Sequence, residues 1–328
     1  MPRIILLIIV LHLLGHPGSG QNSPGKYALA IHGGAGVMSR ERMSEDMQKR
    51  YIDQLDKALR IGDSILKTGG TSREAVVSVI TYLEDCPLFN AGKGAVLTSE
   101  GRTELDASIM DGETRNAGAI AGVTDIKNPI QAALKVMEES EHVMLSGDGA
   151  SEFARSKGLT MVKNSYFKTR ERLDSFQNLK KREKEQARID KHGTVGCVAL
   201  DLNGNICAGT STGGMMNKKF GRIGDSPIIG AGTWADNHTC AVSCTGHGEY
   251  FIRLTVARDI AAHMEYKNQI LKDAGNAVLE KLTQAGGTGG FIAIDKSGNI
   301  IMPFNTSGMF RGYVKSDGEK EIAIFRDE

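Results

Sequence analysis

The chain has 328 residues, enough for one large domain or two ordinary ones with a substantial core. Lys and Arg number 40 against 39 Asp and Glu, and a net charge of +1 recruits neither nucleic acid nor an anionic membrane. With 40% apolar and 24% charged residues this is a soluble globular composition, not a disordered or membrane one. Glycine is the outlier: 40 residues, about 12% against a usual ~7%, with only 7 Pro and no collagen period, so tight turns and close backbone approaches account for it.

Residues 1–20 differ from the rest. Met1-Pro2-Arg3 is a short basic start, residues 4–14 are apolar but for His12, and Gly15-His16-Pro17-Gly18-Ser19-Gly20 supplies a breaker and small residues. That is the layout of a secretory signal peptide, so export and cleavage near Gly20 are expected, to the periplasm or outside the cell. The five cysteines, Cys86, Cys197, Cys207, Cys240 and Cys244, are odd in number and lack metal-ligand spacing. Most are expected as small buried hydrophobes.

After the leader, residues 27–31 read as a strand running into a glycine turn, His32-Gly33-Gly34-Ala35-Gly36. Residues 47–67 have helical apolar spacing and stop at Gly69-Gly70. Thr71-Ser72-Arg73-Glu74 is a capping box opening a second helix over 75–83. Strands are expected at 104–110 and 117–123 about a turn at Asp111-Gly112, then a helix from Asn128-Pro129 to Glu139 and a short one at 151–156. Residues 168–192 are dense in Lys, Arg and Glu, a solvated helix or a mobile linker. Beyond it, 194–200 and 206–209 form a hairpin about Asp201-Leu-Asn-Gly204, with further strands at 228–233 and 241–245. Helices follow at 250–266 and 270–284, and a hairpin at 290–295 and 300–304. Helices packed outside a two-sheet core are the expected architecture.

The chain has no G-x-S-x-G, H-E-x-x-H or P-loop motif. The notable position is Gly193-Thr194, where the charged segment meets a core hairpin. A threonine hydroxyl needs a base before it attacks. Were the bond before Thr194 broken, its own α-amine, with a reference pKa of about 7.7–8.0, could serve. Most Gly-Thr pairs only start strands, so the neighbours matter. Thr210-Ser-Thr-Gly-Gly214 adds hydroxyls and bare backbone. Gly221-Arg-Ile-Gly-Asp-Ser-Pro227 offers a guanidinium and a carboxylate suited to an α-amino acid, Arg222 forking onto the α-carboxylate and Asp225 accepting from the α-ammonium, although exposed turn ion pairs are common. Thr245-Gly-His-Gly-Glu249 ends a strand and opens a helix, where backbone N–H groups and a hydroxyl could form an oxyanion hole.

This succession resembles the plant-type L-asparaginase/isoaspartyl peptidase family of N-terminal-nucleophile hydrolases. The likeness runs from Ile31-His-Gly-Gly-Ala-Gly36 through Phe89-Asn-Ala-Gly92, Met110-Asp-Gly112, His192-Gly-Thr-Val-Gly196, Ser211-Thr-Gly-Gly214 and the Arg222 loop to Thr245-Gly-His-Gly-Glu249. It implies an α+β fold, a four-layer αββα sandwich, cut at Gly193/Thr194 into an α chain (21–193, with 168–192 as linker) and a β chain (194–328) that pair as an (αβ)2 dimer. By the same resemblance Thr194 is the nucleophile, Thr212 its supporting hydroxyl, and Thr245 and Gly246 the oxyanion hole, with Asn90 close by. Arg222, Ile223, Gly224, Asp225, Thr245, Gly246, His247 and Gly248 would contact substrate. No catalytic cofactor is implied. A structural sodium ion would sit on backbone carbonyls of Leu83, Glu84, Cys86, Phe89, Ala91 and Lys93.

The implied substrates are small molecules, L-asparagine and β-aspartyl dipeptides, whose scissile amides both lie on a side-chain carbonyl. A glycosylasparaginase is the enzymatic alternative, although such enzymes typically carry Asp where Gly193 stands. An unprocessed binding protein on the same fold is the other. His32, His192 and His247 are read as structural or contact residues.

Overall fold

A computed structural model describes residues 25–183 and 193–326. The leader expected at 1–20 and the end of the charged segment, 184–192, lie outside the described residues. Twelve strands and eight α-helices are found among the described residues. The strands are β1 (Ala28–Gly36), β2 (Leu105–Asp111), β3 (Ala117–Val123), β4 (Met144–Ser146), β5 (Val195–Leu200), β6 (Ile206–Thr212), β7 (Thr233–Ala235), β8 (Cys240–Gly246), β9 (Gly289–Asp295), β10 (Ile300–Ile301), β11 (Gly308–Lys315) and β12 (Lys320–Phe325). The helices are α1 (Glu45–Lys67), α2 (Ser72–Asp85), α3 (Pro129–Glu139), α4 (Gly147–Ser156), α5 (Arg170–Glu183), α6 (Gly248–Leu254), α7 (Val256–Lys267) and α8 (Leu271–Gln284).

Eight strands form one sheet in the order β12-β11-β1-β5-β6-β2-β3-β4, and four form a second, β10-β9-β8-β7. Helices α1, α2 and α3 cover the outer face of the large sheet, α7 and α8 that of the small one, and the inner faces pack together. The expected αββα sandwich is the observed fold. Strict alternation builds its layers. Leu29 and Ile31 of β1, and Val195, Cys197 and Ala199 of β5, join the core under the helices. Ala28, Ala30, Val198, Leu200, Ile206 and Ala208, with Ile292 and Ile294 of β9, fill the layer between the sheets. A third core lies between the small sheet and α7/α8. All five cysteines are buried and free, as small hydrophobes would be.

Local chemistry accounts for the element boundaries. Thr71 Oγ1 accepts from Glu74 N while the Glu74 carboxylate accepts from Thr71 N, so the capping box fixes the start of α2. The charged segment is helical over Arg170–Glu183, which resolves helix against linker for that part.

Three expectations need correction, and two further elements appear. The glycines after Ile31 do not turn: β1 continues to Gly36, absorbing a bulge between His32 and Gly34. The strand expected at 228–233 is instead a set of turns, with Ile228 N bonded to Asp225 O and Ala231 N to Ile228 O, and β7 starts at Thr233. The helix expected over 250–266 breaks at Thr255, in the left-handed region at φ 47°, and carbonyls of Gly230 and Ala231 accept from the first turn of α7. Finally, the edge hairpin β11–β12 was not anticipated, nor was the short β4.

Candidate active site

In β5 and β6 the even-numbered residues face the other sheet. Val198, Leu200, Ile206 and Ala208 are apolar, and continuing the same parity brings Thr210, Thr212 and Thr194 into the same layer. Odd-numbered Ser211 faces the helices and donates to the buried Glu84 carboxyl at 2.7 Å. Alternation therefore decides which hydroxyls meet.

Thr194 is buried, and its Oγ1 donates to Thr212 Oγ1 at 3.1 Å. Thr212 Oγ1 in turn donates to the Gly193 carbonyl at 3.1 Å. Asn90 Nδ2 donates to the same carbonyl at 2.7 Å and to Gly214 O at 2.8 Å, while Asn90 Oδ1 accepts from Val96 N. The carbonyl preceding the candidate nucleophile thus holds two donors, the arrangement that stabilises an oxyanion developing there. Behind it lies Gly34 at φ 109°, where an added Cβ would meet Gly193 Cα at 2.8 Å and Thr194 N at 3.1 Å. Only glycine fits.

A small cavity of about 10 Å³ is lined by Gly193, Thr194, Thr212, Gly214, Arg222, Gly224, Asp225, Ser226 and Gly246. The structure therefore gathers seven of the sequence-derived residues around one space, which with Gly193 in its wall is scarcely large enough for a water. Asp225 is buried with Oδ2 unpartnered, and burial pushes its carboxyl up to about 7 despite the nearby Arg222 charge. An incoming ammonium would supply the missing partner.

The Arg222 fork is not free, contrary to the simple expectation. Its Nε and one Nη donate to both oxygens of Glu249 at 2.9 and 2.8 Å, and Arg222 holds the Glu249 carboxyl down at about 2. Glu249 fixes the guanidinium by that edge. Gly248 makes room for it: a Cβ there would come within 2.8 Å of an Arg222 Nη and 2.9 Å of Asp225 Oδ1.

Other expected residues lie beside this cavity, not in its lining. Thr245 is buried, and its Oγ1 accepts from Ala35 N at 3.3 Å. Ile223 is 37% exposed. His247 pairs with Glu249 at 3.3 Å and meets the Tyr250 ring edge-on. In the loop after α2, Lys93 N donates to Glu84 O at 2.7 Å, and the Pro87 and Phe89 carbonyls crowd Gly94. Cys86 N likewise donates to Leu83 O at 3.3 Å, so two of the six carbonyls expected to hold sodium already accept hydrogen bonds within the loop. The Glu84 carboxyl accepts from Ile130 N and Ser211 through Oε1, its Oε2 is buried without a hydrogen-bond partner among the described residues, and burial raises its pKa to about 8.

Sequence reasoning missed a buried polar chain beside the site. His32 donates through Nδ1 to Thr194 O at 3.1 Å; burial lowers its pKa to about 3, so the ring is neutral and Nε2 accepts from Ser243 Oγ at 3.0 Å. Ser243 meets Thr210 at 2.7 Å, Thr233 donates to Thr210 at 2.6 Å, and Ser108 donates to Thr233 at 2.7 Å. Register explains it: His32 faces Gly196, Gly196 faces Thr210 and Thr210 faces Ser108 across the large sheet, while Thr233 faces Ser243 in the small one. At Gly196 a Cβ would fall 2.0 Å from Ser243 Oγ and 2.2 Å from His32 Nε2. The available signal was alternation within each strand, Thr210 and Thr212 sharing one face of β6 and Ser243 and Thr245 one face of β8.

Comparison with known proteins identifies the family. The isoaspartyl peptidase of Escherichia coli K12 is 47% identical over 93% of this chain and 98% of its own length. The isoaspartyl peptidase/L-asparaginases of Xenopus laevis and Homo sapiens are 39% and 38% identical, each over 92% of this chain and 96% of their own. The model of the Asparaginase_2 family, described as asparaginase, matches residues 25–324. The chain belongs to this asparaginase family.

Proposed function

We propose that the protein is a self-cleaving threonine amidohydrolase acting on L-asparagine and β-aspartyl dipeptides. The observation that carries this is the Thr194 hydroxyl beside a carbonyl already held by Asn90 and Thr212, across a cavity from Arg222 and Asp225. In the first reaction Thr194 Oγ attacks the Gly193 carbonyl carbon, the oxyanion rests on Asn90 and Thr212, and the C–N bond breaks as the Thr194 nitrogen takes a proton. Water then hydrolyses the resulting ester. This frees the Gly193 carboxylate and leaves Thr194 with a hydroxyl and an α-amine, and departure of Gly193 enlarges the cavity.

In the second reaction the amine accepts the Thr194 hydroxyl proton while the oxygen attacks the substrate's side-chain amide carbon. Arg222, braced by Glu249, and Asp225 hold the α-carboxylate and α-ammonium, and Thr245 with Gly246 N–H receives the oxyanion. Ammonia or an amino acid leaves with the proton, and water hydrolyses the β-aspartyl ester to L-aspartate. Backbone carbonyls of Leu83, Glu84, Cys86, Phe89, Ala91 and Lys93 would hold a sodium ion that braces the loop bearing Asn90, outside the chemistry.

The same proposal includes export directed by residues 1–20, a mature start near Gln21, and pairing of processed protomers as (αβ)2. Among the described residues no helix is long and apolar enough to cross a membrane. Intact mass, a denaturing gel and amidase assays on wild type and Thr194→Ala test the reading. Two chains meeting at Gly193/Thr194 are expected of wild type, and one inactive chain of the variant. An active Thr194→Ala protein would overturn it.

A further inference from the structure

A second, larger cavity of about 630 Å³ opens next to the candidate site, within the roughly 300–1,000 Å³ of small-molecule sites. Gly193 is the one residue lining both. About half of the larger wall is apolar, and that half is adaptable, with Met38, Met43, Met47, Tyr51 and Phe310; Tyr51 stacks on Phe310 at 4.0 Å and packs edge-on against Phe89. Into this wall α5 sets Arg172. Its Nε and one Nη donate to the carbonyls of Gly94 and Leu88, which are neutral, and among the described residues no carboxylate forms an ion pair with it. Its neighbour Glu171, also in the lining, is exposed. A half-buried cation that feels the exposed Glu171 beside it but forms no ion pair with it suits a ligand that carries both an apolar body and an anion.

Resting on the function proposed above, we infer that this cavity receives the leaving amino acid of a β-aspartyl dipeptide, with Arg172 taking its α-carboxylate. The geometry follows from the two anchors. Arg222 and Asp225 hold the aspartyl half in the small cavity, Thr194 marks the scissile carbonyl, and the leaving amine passes where Gly193 lies in the uncut chain. That position opens onto the larger cavity. L-Asparagine releases only ammonia and makes no use of it. The site therefore separates the two substrates, favouring dipeptides whose second residue is large and apolar.

The test compares kcat/KM for β-aspartyl-leucine, β-aspartyl-leucinamide and L-asparagine on processed wild type and Arg172→Met. Wild type is expected to favour the leucine form over the amide by about 10-fold or more, a charge-assisted contact. Arg172→Met should erase that preference and lower the β-aspartyl-leucine to L-asparagine ratio by the same factor, while Arg172→Lys keeps part of it. A wild type indifferent to the amide overturns the inference without recourse to any variant. So does an equal fall on all three substrates, which makes Arg172 only a tie between α5 and the Gly94 loop. A rise in dipeptide turnover would also overturn it, assigning Arg172 to the new Gly193 carboxylate. A wild type that hydrolyses none of the three removes the proposed function, and this inference with it.

Discussion

The layer between the two sheets has two ends built on the same strands with the same alternation. At one end Val198, Leu200, Ile206, Ala208, Ile292 and Ile294 make a dry core. At the other, His32, Thr194, Thr210, Thr212, Ser243 and Thr245 occupy the equivalent inward positions, and all are buried. The strands and their alternation are shared, apart from the β1 bulge between His32 and Gly34, so the main difference is side-chain chemistry. The polar end is tolerable because its groups answer one another: His32, Ser243, Thr210, Thr233 and Ser108 form one hydrogen-bonded run. Strand pairing thus sets where the site lies, and the exchange of aliphatic groups for hydroxyls sets what it can do.

That contrast can be broken at either end. Asn90→Ala removes one of two donors on the Gly193 carbonyl and should slow self-cleavage by about 10²–10³-fold, read as the uncut fraction on a gel over time. Cutting at the wild-type rate would deny Asn90 that role. Ile292→Ala, at the dry end, should cost about 2–5 kcal/mol of stability and leave the cut and the activity per folded molecule intact; urea unfolding and active-site titration measure the two separately. Arg222→Ala should lower kcat/KM by roughly 10- to 100-fold with little effect on folding or self-cleavage, and wild-type kinetics would return it to an ordinary loop residue.

The remaining effect concerns pH, and only the polar end should show it. Asp225 ionises near 7 in the folded chain against 3.8 ordinarily, so between those values the unfolded chain has lost a proton that the folded one keeps. Its stabilising contribution is complete below pH 3.8 and is lost as pH rises toward 7. Asp225→Asn should flatten that part of a stability–pH curve. His32, lowered to about 3, acts in the opposite sense: it stabilises above 6.5, and that contribution is lost as pH falls toward 3. Unfolding midpoints of wild type and Asp225→Asn at pH 4 and pH 7 would show whether the slope resides there.

The sequence made the fold legible wherever periodicity was clean or capping explicit, as in α1, the Thr71/Glu74 box and the β5–β6 hairpin. It misled where tertiary contacts override local signals. The glycines of β1 look like a turn, yet Gly34 is required by the close approach of Gly193. Thr255 interrupts a helical pattern because loop carbonyls at 230 and 231 take the new helix start. The β11–β12 hairpin carried a readable Asp317-Gly318 turn, but Gly308, Arg311 and Gly312 obscured its alternation. Site residues were legible by motif order, whereas Glu249 in the Arg222 fork and the His32 hydroxyl run depend on register between strands far apart in the chain.

The strand order has a mechanical corollary. β1, which precedes Gly193, lies between β5 and β11, which follow it, and β6 is flanked by β5 and by the earlier β2. Opening the Gly193–Thr194 bond would leave two polypeptides woven through one sheet, unable to part without tearing three strand interfaces. Unfolding would then be the last event at which they share a body. Reassembly would become a bimolecular encounter whose rate falls with dilution, where the uncut chain had only to close on itself. On the proposed self-cleavage, folding would therefore have to precede the cut, and a denatured sample of the processed protein should recover poorly when dilute.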